Sequence, residues 1–260
     1  ASNDPNLQNI PIRTDVGRDI RRAFVAEPGH VLIAADYSQI ELRMLAHLSE
    51  DEALIAAFRE GQDIHTAVAA EVFGVPLDAV TGEQRGRAKV INFGIIYGIT
   101  AFGLARRIDG LSREEAGKLI DGYKARFKGI DEFMNACVEQ ATEHGYVTTI
   151  LGRRRLIEQV QARNPQQRAL GERLAINSVV QGSAADLIKV AMVRLADRLA
   201  ESGMASRMLL QIHDELVIEA PDGEADAAAT LVTETMESAM DLRVPLVVDV
   251  GRGADWFAAK

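Results

Sequence analysis

LLQIHDELVIE, residues 209–219, sets His213, Asp214 and Glu215 side by side between two apolar runs. A charge taken out of water is costly unless it is paired or holds a metal. Either the chain bends here and the charges are solvated, or a cation sits against them. The wider stretch RMLLQIHDELVIEA (207–220) is apolar and rich in branched residues on both sides of the trio, so it predicts strand, turn, strand. Asp214 then stands at the solvated tip of a hairpin. Turns favour aspartate in any case, so the residue alone does not choose between the two readings.

A second apolar run ends in the same way. HVLIAADYS (30–38) predicts a buried strand that finishes at Asp36. Two strand-end aspartates on one sheet can hold two divalent ions. Ions roughly 3.5–4 Å apart stabilise the attacking and leaving oxygens of an in-line phosphoryl displacement. Carboxylate oxygens suit Mg²⁺, which also accepts substrate phosphates as ligands. Sequence spacing leaves open whether the two aspartates meet.

Outward from these strands the apolar spacing turns helical. Helices are expected from Gln39 to about Glu50, then after Asp51 and after Asp63, with GVPLDAVTG as a loop. Thr81 caps a helix running through Tyr97 and stopped by Gly98. Ser112-Arg-Glu-Glu is a capping-box start for a helix to about Phe127, and another runs from about Ile130 to His144. YVTTIL and the arginines after Gly152 predict a hairpin. Pro165 to Ser202 is one long helical pattern, with Gly182 marking a bend or a close contact. Gly223 to Met240 is helix and VPLVVDV a final strand. Strands lie at both ends of the chain with helices between, so the expected fold is α+β, a sheet-based lobe whose chain leaves, builds a helical lobe and returns.

With 47% hydrophobic residues over 260 positions, the chain can bury a large core. It has no apolar run of membrane-spanning length and no secretory signal pattern. The opening ASNDPNLQNIPIRTD reads as a loop without an initiator Met, as expected of a piece of something longer. Cys137 stands alone, which excludes an internal disulfide and fits a reducing compartment; one Cys with five scattered His argues against structural zinc. A net charge of −9 argues by itself against a nucleic-acid partner. The charge is uneven, however: residues 80–173 hold 16 Lys/Arg against 11 Asp/Glu, and residues 197–260 hold 5 against 13. That asymmetry suits an anionic ligand held beside a carboxylate-rich metal site, or equally a solvated surface of mixed charge.

RGRAKVINFGIIYG (85–98) carries a sharper signal. Arg85, Lys89, Phe93 and Tyr97 are four apart each time and line one helical stripe. Cations grip phosphates and aromatic faces stack on bases or sugars, so the stripe matches a nucleoside triphosphate from tail to head. The alternative is an amphipathic helix passing from surface into core. Arg153, Arg154 and Arg155 are likewise open between a phosphate-backbone patch and a charged hairpin edge.

DYSQIELR (36–43), RGRAKVINFGIIYG (85–98) and QIHDELV (211–217) resemble, in order, the three polymerase motifs of family A DNA polymerases. DPNLQNIP (4–11), DIHTAVAAEVFG (63–74), ERLAINSVVQGSAADLIK (172–189) and VDVGRGADW (248–256) also resemble family segments. The resemblance implies a right-hand palm, an antiparallel sheet with packed helices, from residues 1–49 and 166–260, and helical fingers from 50–165. It implies template-directed DNA synthesis from deoxynucleoside triphosphates on primer–template DNA, with two Mg²⁺ ions. Asp36 and Asp214 would bind the metals and Glu215 would be an accessory catalytic carboxylate. Arg85, Lys89 and His65 would touch the triphosphate, with Lys89 also catalytic. Gln39 would lie near the incoming nucleotide, Phe93 at its sugar and Tyr97 at the nascent base pair. Glu41 would fill the space under the sugar C2′ and so reject ribonucleotides. Arg173, Asn177, Gln181 and His213 would contact primer–template.

The resemblance further implies a monomer in the bacterial cytoplasm, associated with the nucleoid and not with a membrane, and preceded in the full protein by thumb and exonuclease-type domains. Two departures stand out. A Thr-Gly-Arg-Leu segment that precedes DPNLQNIP in the family is not in this chain. Leu156-Ile157-Glu158 replaces the usual Tyr-Leu-Pro after the arginines. Single-subunit RNA polymerases share much of this chemistry, and a fragment inert without its thumb is the other alternative.

Overall fold

The computed structural model describes residues 10, 12 and 14–260. The DPNLQNIP segment, Ile10 apart, lies outside them. The fold is α+β, and its contacts divide the chain into two compact units. One comprises residues 1–40, 187–241 and 246–260; the other comprises 41–186 and 242–245.

The first unit is built on a four-stranded antiparallel sheet of β1 (His30–Tyr37), β4 (Arg207–Ile212), β5 (Glu215–Pro221) and β6 (Val248–Gly253), ordered β4-β5-β1-β6. The central strand explains its own sequence. Ile33, Ala35 and Tyr37 point to one face, where the Tyr37 hydroxyl donates to the Met236 carbonyl in α10 (Ala225–Glu237). Leu32 and Ala34 point to the other and pack with Val217, Trp256 and Ala259. Both faces are covered, so β1 reads as a continuous apolar run and not as an alternating one. Asp36 is the next residue on the Leu32–Ala34 face. Helix α1 (Asp15–Arg22) precedes the sheet, capped by the Thr14 hydroxyl. Its Arg21 lies 4.0 Å over the Trp256 ring, and Phe24 meets that ring edge-on.

The second unit is helical: α2 (Ile40–Ser49), α3 (Glu52–Arg59), α4 (Ile64–Phe73), α5 (Gly82–Ile96), α6 (Ala101–Ala105), α7 (Arg113–Arg126) and α8 (Lys128–His144), followed by the hairpin β2 (Tyr146–Thr148) and β3 (Arg154–Leu156). The predicted starts appear as real caps. Asp51 and Asp63 accept from Leu54 and Thr66 backbone N–H groups, and Thr81 and Ser112 form full capping boxes with Gln84 and Glu115. Asp51 has a second duty: its other oxygen accepts from the Gly129 N–H, tying α3 to α8. Helix α9 (Pro165–Ser202) runs unbroken, and the boundary between the units falls inside it. Gly182 marks a close contact and not a bend, because a Cβ there would lie 2.6 Å from Thr149 Cγ2.

Three local expectations change. The last strand begins at Val248, not Val244. The backbone before it is spent elsewhere: Arg43 donates to the Pro245 carbonyl and Ser38 N–H to that of Val247. The expected loop after Gly74 contains a 3-10 turn, Leu77–Ala79. Helix α6 was not anticipated; five residues are too short to show a period.

Candidate active site

The sheet of the first unit brings His213, Asp214, Glu215 and Asp36 to one end of its two central strands, β1 and β5. Asp36 lies opposite Glu215 in the β1–β5 register, so both carboxylates share a face. The turn between β4 and β5 consists of His213 and Asp214, with His213 in the left-handed region at φ 55°. Gln39, just past β1, is left-handed too, at φ 53°. Such conformations are uncommon for residues with a side chain and cluster at functional sites. The Asp214 carbonyl accepts from the Tyr37 N–H at 3.2 Å, pinning the turn to the end of β1.

The tip is less solvated than a hairpin turn should be. His213 is exposed, but Asp214 is half-buried and Glu215 is 3% exposed. Burial, then the negative charge of Asp36, pushes the Asp214 carboxyl up to about 6. The Tyr37–Asp214 bond makes the two aspartates neighbours, and their charges oppose each other. Asp36 Oδ1 is buried without a hydrogen-bond partner among the described residues, as is Gln39 Oε1. Glu215 is fully engaged: Oε1 accepts from Trp256 Nε1 and Oε2 from Lys260 Nζ, which also reaches Asp36 Oδ2 at 3.1 Å. Burial opposes the charge on Lys260, yet Glu215 and Asp36 raise its pKa.

These donors fit a divalent cation. An unsatisfied carboxylate oxygen on Asp36 and a destabilised carboxylate on Asp214 both gain from positive charge. Among the described residues no group of three or more His, Cys, Asp or Glu side chains is arranged to hold a metal. Two carboxylates suit an ion that keeps waters and phosphate oxygens as its other ligands.

In the second unit α5 presents the stripe read from its sequence. Arg85 and Lys89 are exposed, and Phe93 and Tyr97 are half-buried. The two aromatic rings stack with centroids 6.3 Å apart and 14° between planes. Lys89 makes no ion pair among the described residues. Arg85 does: its Nε and Nη2 donate to Asp63 at 3.1 and 2.7 Å. Burial opposes the charge on Asp63, but hydrogen bonds from Arg85 and Thr66 hold it at about 2. His65 is 3% exposed, its Nδ1 3.1 Å from Asn92 Nδ2 and its ring 5.7 Å from Phe93. Burial lowers its pKa, so the ring favours the neutral form. The Tyr97 hydroxyl donates to Glu41 Oε2 and also meets Gln181; burial, then Glu41, pushes its pKa up to about 12.

Helix α9 adds a polar stripe, with Arg173 and Gln181 exposed and Asn177 half-buried. Asn177 Oδ1 is buried without a partner among the described residues. Gly98, at φ 67°, is needed twice over: a Cβ there would also sit 2.5 Å from Arg173 Cγ. Arg173 thereby lies against the end of α5. The hairpin arginines part company. Arg153 donates to buried Asp186 at 2.9 Å, Arg154 lies 4.8 Å over the Tyr146 ring, and Arg155 is exposed.

Asp36, Gln39, His213, Asp214 and Glu215 thus gather in the first unit. Glu41, His65, Arg85, Lys89, Phe93, Tyr97, Arg173, Asn177 and Gln181 belong to the second. Sequence reading missed Lys260 and Trp256 as partners of the carboxylates. It took Asp63 as a helix cap and missed its grip on Arg85. A carboxylate 22 residues from a cation gives no periodic signal.

Among the described residues no helix is long and apolar enough to cross a membrane. The chain is 50% identical over all its 260 residues to DNA polymerase I of Caldicellulosiruptor bescii, 51% to that of Mycobacterium tuberculosis, and 54% over 257 residues to that of Chloroflexus aurantiacus. It spans about 30% of the length of these relatives. The polymerase domain of Pol1 from M. smegmatis, solved with DNA primer-template and dNTP, superposes with a TM-score of 0.94 at 48% identity, covering all of this chain and 46% of that one. The sequence model of DNA polymerase family A matches residues 1–258, and the chain belongs to that family.

Proposed function

We propose that this chain is the palm and fingers of an enzyme for template-directed DNA synthesis. In this reading a primer 3′-hydroxyl attacks the α-phosphate of a deoxynucleoside triphosphate and pyrophosphate leaves. The carrying observation is that Asp36 and Asp214 lie together at one end of the central strands β1 and β5, where Asp36 keeps a buried oxygen without a partner among the described residues. Bound there, two Mg²⁺ ions would supply Lewis acidity and neutralise charge at the attacking and leaving oxygens. The protein's own work is positioning and electrostatics.

Lys89, exposed and without an ion-pair partner among the described residues, is a cation available to the triphosphate. Arg85 joins it on leaving, or sharing, Asp63. His65, expected to touch the triphosphate, is buried against Asn92 and Phe93 and is therefore read as supporting this face. Phe93 packs on the sugar and Tyr97 under the nascent pair, with Gln39 near the incoming nucleotide. Glu41, tethered to Tyr97, bars a 2′-hydroxyl. Arg173, Asn177, Gln181 and His213 hold primer–template DNA. Residues 1–49 and 166–260 are read as palm and 50–165 as fingers, in a protein acting on the bacterial nucleoid as a monomer.

The test is primer extension by the full-length protein with Mg²⁺, primer–template and either deoxy- or ribonucleotides. Template-dependent extension with deoxynucleotides is expected. Equal or better use of ribonucleotides assigns an RNA polymerase instead, and no extension with either overturns the reading.

A further inference from the structure

Residues 255–260 fold back on the sheet for a reason visible in β6. Gly251 and Gly253 have no Cβ where the returning chain passes; a methyl at Gly251 would overlap the Ala259 carbonyl, and one at Gly253 would lie 2.5 Å from the Ala258 carbonyl carbon. Trp256, 2% exposed, anchors the return between Arg21 and the sheet. The segment so placed carries Lys260 to the carboxylates, where it bridges Asp36 Oδ2 and Glu215 Oε2. Both Glu215 oxygens are then occupied, by Lys260 and Trp256, while Asp36 keeps Oδ1. Glu215 is better placed to hold the ammonium than to ligate an ion.

We propose that Lys260 is a positioning residue that sets the divalent-cation affinity of the Asp36–Asp214 pair. Clamped by buried Glu215, its ammonium fixes Asp36 through one oxygen and leaves the other for the ion. The same positive charge repels the ion and keeps it exchangeable. This rests on the metal-binding reading of the two aspartates. One unit charge a few ångströms away changes an ion's affinity by at least about fivefold, even with the screening of bulk water.

The experiment is Mn²⁺ binding to the full-length protein, followed by electron paramagnetic resonance without substrate, with thermal unfolding in chelator alongside. Lys260→Gln should bind Mn²⁺ at least about fivefold tighter than wild type and unfold earlier in chelator, since Glu215 is left buried and unpaired. Lys260→Arg should match wild type in affinity. Should Lys260→Gln fail to fold, the double variant Glu215→Gln with Lys260→Met removes the pair together and leaves no orphaned charge. It should restore stability and bind Mn²⁺ within about twofold of wild type, the local charge being conserved. A Lys260→Gln affinity equal to or weaker than wild type overturns the assignment, as does a double variant that departs from wild type by more than fivefold. Failure of wild type to show any Mn²⁺ site that Asp36→Asn abolishes would instead bring down the metal-binding reading itself.

Discussion

Replacing Asp214 by Asn should stabilise the fold while destroying its chemistry. The Asp214 carboxyl is moved from its ordinary 3.8 to about 6, by burial and then by Asp36. At about 1.4 kcal/mol per pKa unit, ionising it in the folded protein is disfavoured by about 3 kcal/mol. Asp214 is only half-buried, and solvent screening reduces this to about 1–2 kcal/mol. The sign follows from linkage: a carboxyl raised in the folded state is harmless while protonated. Its penalty appears as pH climbs from the unfolded value toward 6 and is complete above that. Asparagine carries no such charge. Urea denaturation in chelator should therefore find Asp214→Asn more stable than wild type by about 1–2 kcal/mol near pH 8, with the difference vanishing near pH 4. Millimolar divalent cation should then stabilise wild type and leave the variant unmoved, because only the former binds it. A variant equal to or less stable than wild type near pH 8 would refute the claim that the carboxylate pair is held apart from water in mutual repulsion.

Glu41→Ala should admit ribonucleotides, read as a fall in the ratio of deoxy- to ribonucleotide incorporation; an unchanged ratio rules out the proposed gate. Lys89→Ala should raise KM for the triphosphate at least about tenfold, the value of one charge-assisted phosphate contact, with primer–template affinity within twofold of wild type. A defect confined to DNA binding would remove Lys89 from the triphosphate. Gly171→Ala should destabilise the helical unit by about 2–3 kcal/mol, since the added methyl would lie 2.6 Å from Val160 Cα and Gln159 carbonyl carbon, both backbone. A loss below about 0.5 kcal/mol in urea denaturation would mean that backbone yields freely.

What the sequence disclosed was local or strictly periodic. Asp51, Asp63, Thr81 and Ser112 cap helices through bonds to residues three places on, so their meaning sits within one turn of chain. The α5 stripe repeats every four residues, and its graded exposure from Arg85 to Tyr97 follows that spacing. The strand-end aspartates were visible as charges interrupting apolar runs. Hidden features depend on distant pairing. Lys260 meets Asp36 across 224 residues, and Trp256 meets Glu215 across 41. Arg43 claims the carbonyl at Pro245 and so delays β6. The hairpin tip looked solvated because its turn residues are polar; that Asp214 is half-buried, within reach of the Asp36 charge, depends on packing against a strand at the other end of the chain.

The central claim is that Asp36 and Asp214 act as one cation site for nucleotidyl transfer. Single-turnover incorporation of a correct deoxynucleotide by Asp36→Asn and by Asp214→Asn, each with an unfolding midpoint at or above that of wild type, tests it most directly. Either substitution alone should remove at least about 99.9% of the rate, more than about 4 kcal/mol of transition-state stabilisation. A folded variant of either residue that keeps a tenth of the wild-type rate would contradict it.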